Sequence, residues 1–296
     1  MTRQTPEELL AIIRSFVPDP ETPITGARKE FSAFFDEFQE DAAGSARWER
    51  AFIRPDLQGY WITTPESRDD RVVLFFHSGG FTMGSTGDHL GLCARIAQAA
   101  HAPVLSVDYR LAPEKVFPAA VEDAVEAYEY LRSGNAGSHR IIPVGISAGG
   151  TLAISLLLSL REKGIPLPAA AACMSPMVDM LFSGESFTRN RGADWITPAS
   201  VSSVRDRYLA GRDPKDPIAS PLHAPLKGMP RLYLQAGTHE VLVDSITSFV
   251  QKARWAGVPV QFDLWEGMFH CWQVFAGQLA EGQEALDRLG EFVRNA

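Results

Sequence analysis

Apolar positions in the first forty residues recur at helical spacing. Thr5-Pro6-Glu7-Glu8 offers a capping residue, a proline suited to the first helical position and a glutamate that completes a capping box. Leu9, Leu10, Ile13 and Phe16 then form one apolar face, and Phe31, Phe34, Phe35 and Phe38 repeat the i, i+3, i+4, i+7 pattern in a second helix. From Trp48 the texture changes. Short β-rich runs at 59–64, 72–77, 104–107, 141–144, 169–174, 232–235 and 258–265 alternate with helical segments, among them 89–100, 118–133, 149–163, 245–257 and 284–295. This alternation predicts an α/β fold with a mostly parallel central sheet flanked by helices on both faces. One stretch breaks the rhythm. Residues 182–226 are polar, rich in Pro, Asp and Ser, with one helix-like piece near 198–210, and an insertion that long in a compact domain is usually functional.

With 296 residues, 45% of them apolar, the chain can bury a sizeable core in one large domain. Its net charge of −8 and the absence of any basic run argue against nucleic acid as a partner and against a polybasic membrane-surface patch. MTRQTPEELLAII carries acidic residues where a signal peptide would be basic and then apolar. The longest greasy run, 165–178, is interrupted by Pro166, Pro168 and Pro176, so no membrane span is expected. Cys93, Cys173 and Cys271 are too widely spaced for a disulfide framework or a zinc site, and a reducing, cytoplasmic location is expected.

The sharpest chemical signal is PVGISAGG, residues 143–150. A strand precedes it and an apolar helix follows, which puts Ser147 on a tight strand-to-helix turn, with Gly145 and Gly149 removing side chains that would clash. This is the nucleophile-elbow pattern G-x-S-x-G, and it leaves the Ala148 N–H at a helix N-terminus, where partial positive charge collects. A serine attacking a carbonyl creates an oxyanion that needs waiting hydrogen-bond donors. VVLFFHSGGFTMGS, residues 72–85, offers them: a strand runs into His77-Ser78-Gly79-Gly80, where bare backbone can approach the reacting carbonyl. Gly79, Gly80 and Ala148 are the expected donors.

The serine also needs a base. His77 belongs to the glycine loop, while His89, His101, His139 and His223 lie in helical starts or polar connections without catalytic context. His239 falls too early in the chain. His270 follows the strand VPVQFDLW and the turn EGMF, at the carboxyl end of a late strand, where catalysis collects in open α/β sheets. The order Ser, acid, His asks for an acid between them, just after another strand. RLYLQAGTHEVLVD, residues 231–244, supplies Glu240, with Asp244 as the competitor.

These segments, with DYRLAPEKVFPAAVED at 108–123 and DPIASPL at 216–222, make the chain resemble the bacterial hormone-sensitive-lipase-like carboxylesterases of the α/β-hydrolase superfamily over nearly its whole length. The resemblance implies Ser147 as nucleophile, His270 as base and Glu240, ahead of Asp244, as acid. Two positions depart from the family pattern: Ser78 stands where glycine is usual, and the acid is Glu where Asp is commoner. DYRLAPE resembles a structural turn, with Asp108, Arg110 and Glu114 as a polar brace. The resemblance also implies a helical cap built from residues 1–45 and 182–226 over a hydrolase core of 46–181 and 227–296. Phe34, Phe35, Phe38, Met83 and Trp195 then become candidate pocket walls. The expected partner is a small-molecule ester of short to medium chain, with no metal or organic cofactor, and a homodimer is reasonable. Lactones and amides yield to the same apparatus. A non-catalytic receptor on this fold would have lost the base, and His270 and Glu240 are both present.

Overall fold

The structure is a computed structural model describing residues 4–15, 22–38, 46–135 and 140–296. Phe16 and His139 lie outside the described residues. Helix α1 (Pro6–Arg14) begins with the expected box: the Thr5 hydroxyl accepts from the Glu8 N–H, and the Glu8 carboxylate accepts from the Thr5 N–H. Helix α2 (Ile24–Phe38) carries the phenylalanine stripe.

Among the described residues eight strands form one sheet: β1 (Arg47–Arg54), β2 (Leu57–Thr63), β3 (Arg71–Phe76), β4 (Val104–Asp108), β5 (Arg140–Ile146), β6 (Ala170–Met174), β7 (Arg231–Gly237) and β8 (Val260–Trp265). Their order is β1-β2-β4-β3-β5-β6-β7-β8, with β2 antiparallel to both neighbours and every pair from β4 to β8 parallel. The sequence pattern does not signal β1. Only Ala51 of RWERAFIR is buried, so this strand is held by its ladder to β2 and by little apolar burial.

The remaining helices are α3 (Leu90–Ala100), α4 (Ala119–Tyr130), α5 (Ala148–Glu162), α6 (Ser186–Arg189), α7 (Pro198–Leu209), α8 (Val243–Trp255) and α9 (Ala280–Arg294). Strand β3 shows why its sequence is an unbroken apolar run. Val72, Leu74 and Phe76 enter one core with α4, α5 and α8, while Val73 and Phe75 enter a second with α3 and α9. A strand buried on both faces has no polar side to alternate with. A third cluster joins Leu9, Ile13 and Phe31 from α1 and α2 to Phe269, Trp272 and Phe275 after β8, so the N-terminal helices sit on the segment that carries His270. Among the described residues no helix is long and apolar enough to cross a membrane.

The polar DYRLAPE side chains tie to other segments of the chain. Asp108 accepts from the Thr86 N–H at 2.7 Å, Arg110 binds the buried Asp123 at 2.9 Å, and Glu114 pairs with Arg28 of α2 at 2.7 Å. Arg28 also donates to the carbonyls of Thr82 and Ala112, which ties α2 to the loop after β3.

Helices α3 and α9 cross so closely that a Cβ on Gly290 would overlap the Ala99 backbone. Backbone gives way less readily than a side-chain tip, so Gly290→Ala should destabilise the protein by about 1–3 kcal/mol. The change would be read as a lower denaturation midpoint at an unchanged slope; an unaltered midpoint would contradict this packing.

Candidate active site

Strand β5 ends at Ile146 and α5 begins at Ala148, so Ser147 alone makes the reversal, at φ 55° and ψ −121°. A non-glycine residue held there costs on the order of 1–3 kcal/mol and persists only where its surroundings enforce it. Here they do. The Ser147 N–H donates to the Met174 carbonyl of β6 at 2.8 Å. A Cβ on Gly145 would strike the Gly149 backbone, and one on Gly149 would strike the carbonyls of Phe76 and His77, so both flanking positions must be bare.

The turn brings the Ser147 hydroxyl to 2.8 Å from His270 Nε2, across 123 residues of sequence. On the far side of the ring, His270 Nδ1 lies 3.0 Å from Glu240 Oε2. A carboxylate can only accept, so Nδ1 carries the proton and Nε2 is left to accept from the serine. Glu240 is fully buried, and its other oxygen accepts from the Gly237 N–H at 2.7 Å and the Ser175 hydroxyl at 2.8 Å. Asp244 faces elsewhere: it accepts from the Ser186 N–H and pairs with Arg189. Sequence reasoning missed Ser175, because nothing local marks a serine after β6 as a partner of an acid after β7.

The glycine loop closes through bonds from the Thr82 and Met83 N–H groups to the Gly79 carbonyl. Gly79 and Gly80 have φ of 115° and 63°. A Cβ on Gly80 would also lie 2.5 Å from Val204 of α7, so the insertion packs directly on this loop. Gly79, Gly80, Ser147 and His270 share the wall of a cavity of about 110 Å³. Ala148 is fully buried at the first turn of α5 and is not among the lining residues.

Of the candidate pocket walls, Phe35, Met83 and Trp195 line this cavity. Phe34 and Phe38 stand behind it, packed on Phe275 with ring centroids 6.0 and 5.2 Å away. Phe31 of the same stripe does line it, as do Val201, Val204 and Val274. Helical spacing identified the face of α2 without saying which edge of the stripe meets the cavity.

His89, which has no catalytic context in the sequence, proves to be buried against the glycine loop. Its Nε2 accepts from the Ser78 hydroxyl at 2.8 Å and the Ser78 N–H at 3.3 Å, and its Nδ1–H donates to the Ser85 carbonyl at 3.0 Å. His77 donates from Nδ1 to the Ser78 carbonyl at 2.7 Å and stacks on Tyr109 at 4.2 Å. Burial lowers both imidazoles to a pKa of about 4, so each is neutral at physiological pH. His270 behaves differently. Burial disfavours its charged form, yet adjoining Cys271 and Glu240 outweigh that and raise its pKa well above 6.5. Burial also pushes the Cys271 thiol up, with the neighbouring His270 acting against that rise. Among the described residues no group of three or more His, Cys, Asp or Glu side chains is arranged to hold a metal ion.

Comparison with known proteins agrees with this architecture. A family model described as alpha/beta hydrolase fold matches residues 73–274, and the chain belongs to that family. It is 42% identical to an acetyl-hydrolase from Streptomyces hygroscopicus over 237 residues, 80% of this chain and 79% of the relative. It is 32% identical to esterase LipU of Mycobacterium tuberculosis over 239 residues, 78% and 80% of the two chains. The crystal structure of an esterase from the bacterial hormone-sensitive lipase family matches with a TM-score of 0.93 at 39% identity, covering 99% of this chain and 98% of that one. The resemblance carried by the sequence motifs therefore extends to the whole fold.

The raised pKa of His270 has a measurable sign. A base must be neutral to take a proton, so reaction at Ser147 should be lost as pH falls through the His270 pKa. The rate at which a fluorophosphonate labels Ser147 should drop on the acid side with a midpoint above 6.5. A labelling rate that does not fall on the acid side would contradict the assignment of His270 as the base.

Proposed function

We propose that the chain is a serine carboxylesterase that hydrolyses short- to medium-chain carboxylic esters through an acyl-enzyme. The observation that carries this reading is the continuous chain of contacts from Ser147 Oγ through His270 to Glu240, at 2.8 and 3.0 Å. Ser147 gives its proton to His270 Nε2 as its oxygen attacks the acyl carbon, and Glu240 orients the ring and stabilises the imidazolium that forms. The N–H groups of Gly79, Gly80 and Ala148 hold the oxyanion, each donor contributing on the order of 3 kcal/mol to the transition state. His270 then returns its proton to the leaving alcohol. Water, activated by the same imidazole, attacks the acyl-serine and releases the acid.

The names of the relatives support an ester as substrate, since they include an acetyl-hydrolase and several esterases. The cavity supports a small one. At about 110 Å³ it is of the size of voids that accept small apolar molecules. The walls from α2 and α7 support the cap reading, in which residues 1–45 and 182–226 close over the site.

Purified protein should hydrolyse p-nitrophenyl acetate and butyrate. Ser147→Ala should lower kcat by about 10³-fold or more and abolish fluorophosphonate labelling while leaving the fold intact. Equal activity in that variant would refute the nucleophile. Faster opening of simple lactones than of linear esters by the wild type would move the substrate class while keeping the chemistry.

A further inference from the structure

The insertion does more than wall the cavity, because residues 190–195 reach beneath it. Asp194 is 2% exposed, and among the described residues its carboxylate accepts hydrogen bonds from three backbone N–H groups. Oδ2 accepts from Val241, the residue after Glu240, at 2.9 Å. Oδ1 accepts from the N–H of His270 at 3.0 Å and from that of Trp195 at 2.8 Å. One side chain thus spans the loop that carries the acid and the loop that carries the base.

Its neighbours grip the same two loops. Asn190 Nδ2 donates to the carbonyls of Thr238 and Glu240, both at 2.8 Å. Trp195 Nε1 donates to the His270 carbonyl at 2.6 Å. Glu240 and His270 therefore each have backbone groups tied to the insertion. Arg14 of α1 secures the strut from outside by donating to the carbonyls of Gly192 and Asp194.

A carboxylate is an expensive choice for a packing position. Burial raises the Asp194 pKa to about 6, with the nearby Glu240 charge acting in the same direction and His270 and the N–H donors against it. A neutral residue would fill the space without that cost. What a carboxylate adds is two oxygens, each with lone pairs to spare, able to accept from two loops at once.

We propose that Asp194, with Asn190, is a positioning residue for the proposed esterase reaction, bridging the loops of Glu240 and His270 from the insertion and fixing the Nδ1–carboxylate register. The inference rests on the reading of Ser147, His270 and Glu240 as the reacting groups. Neither Asp194 nor Asn190 lines the cavity, so neither contacts substrate. Loss of the bridge should therefore act on the chemical step and leave substrate binding nearly alone. Misplacement of a reacting group by about 1 Å costs on the order of 10²-fold in rate.

The test compares wild type, Asp194→Asn and Asn190→Ala on p-nitrophenyl butyrate, with kcat expressed per site labelled to completion by a fluorophosphonate, so that misfolded protein is not counted. Asn at 194 keeps the shape but turns an N–H₂ group toward one of the two loops. Asn190→Ala cuts only the ties to Thr238 and Glu240, which keeps the test open if the 194 variant folds poorly. Both variants should lose about 10- to 100-fold in kcat per labelled site, with KM changed less than about threefold. Wild-type kcat in both, or a loss expressed wholly in KM, overturns the inference while wild-type turnover keeps the esterase reading intact. A wild type that neither turns over esters nor takes the label overturns that reading, and the inference with it.

Discussion

Everything at the site depends on one strained turn. Ser147 at φ 55° is stable only because the chain on both sides leaves it no alternative. Strand β5 lies between β3 and β6 in the middle of the sheet, and the helix that follows is buried from Ala148 to Leu160. The burial of that helix is large compared with the roughly 1–3 kcal/mol stored in the turn. The two glycines act differently from one another. Gly145 lets the first turn of α5 fold back on β5, and Gly149 lets α5 approach the carbonyls that end β3. The second contact matters chemically, because the glycine loop begins at the end of β3. The same close approach that raises the serine also brings the glycine loop beside it.

How much of this was legible in the sequence follows from how local each cause is. The seven strands from β2 onward announced themselves, since a buried strand has a composition of its own. Strand β1 did not, because its stability lies in pairing and its side chains face water. The positions of Ser147, His270 and Glu240 were legible from the turns and strand ends that carry them, and their convergence follows from strand order. Glu240 could be preferred to Asp244 only by resemblance. Burial separates the two: Glu240 lies under the histidine, while Asp244 is spent on α6 and Arg189. Helical periodicity found the α2 stripe but could not say that Phe31 and Phe35 meet the cavity while Phe34 and Phe38 meet Phe275. Polar residues whose partners are distant in the chain left no trace at all. Ser175 and Asp194 look like ordinary surface residues until folding buries them.

The N-terminal helices and the insertion have a common feature that bears on the cap reading. Each contacts the site through backbone as well as through apolar walls. Arg28 of α2 holds the carbonyls of Thr82 and Ala112, next to the glycine loop, and the insertion holds the loops of Glu240 and His270. A cover that only excluded water would need apolar contact and nothing more. Directional bonds to the loops beneath make the geometry of the reacting groups depend on the position of the cover.

His270 on the cavity wall and His77 and His89 at the glycine loop show how neighbours modulate the effect of burial. His77, His89 and His270 are all almost wholly buried, at 0%, 1% and 2% exposure. Desolvation lowers the first two to about 4, yet the third is raised. The difference lies in what faces each ring. His77 and His89 meet a carbonyl, a serine and one another, none of which favours a cation enough to offset burial. His270 adjoins Cys271 and meets the Glu240 carboxylate, which a serine hydroxyl and a backbone N–H hold in place. At neutral pH the glycine loop therefore carries no formal charge from its histidines, and its donors act as fixed backbone dipoles whose strength does not vary with pH. His270 is the one imidazole of the three placed against the serine, and in the proposed reaction it is the group that carries the proton.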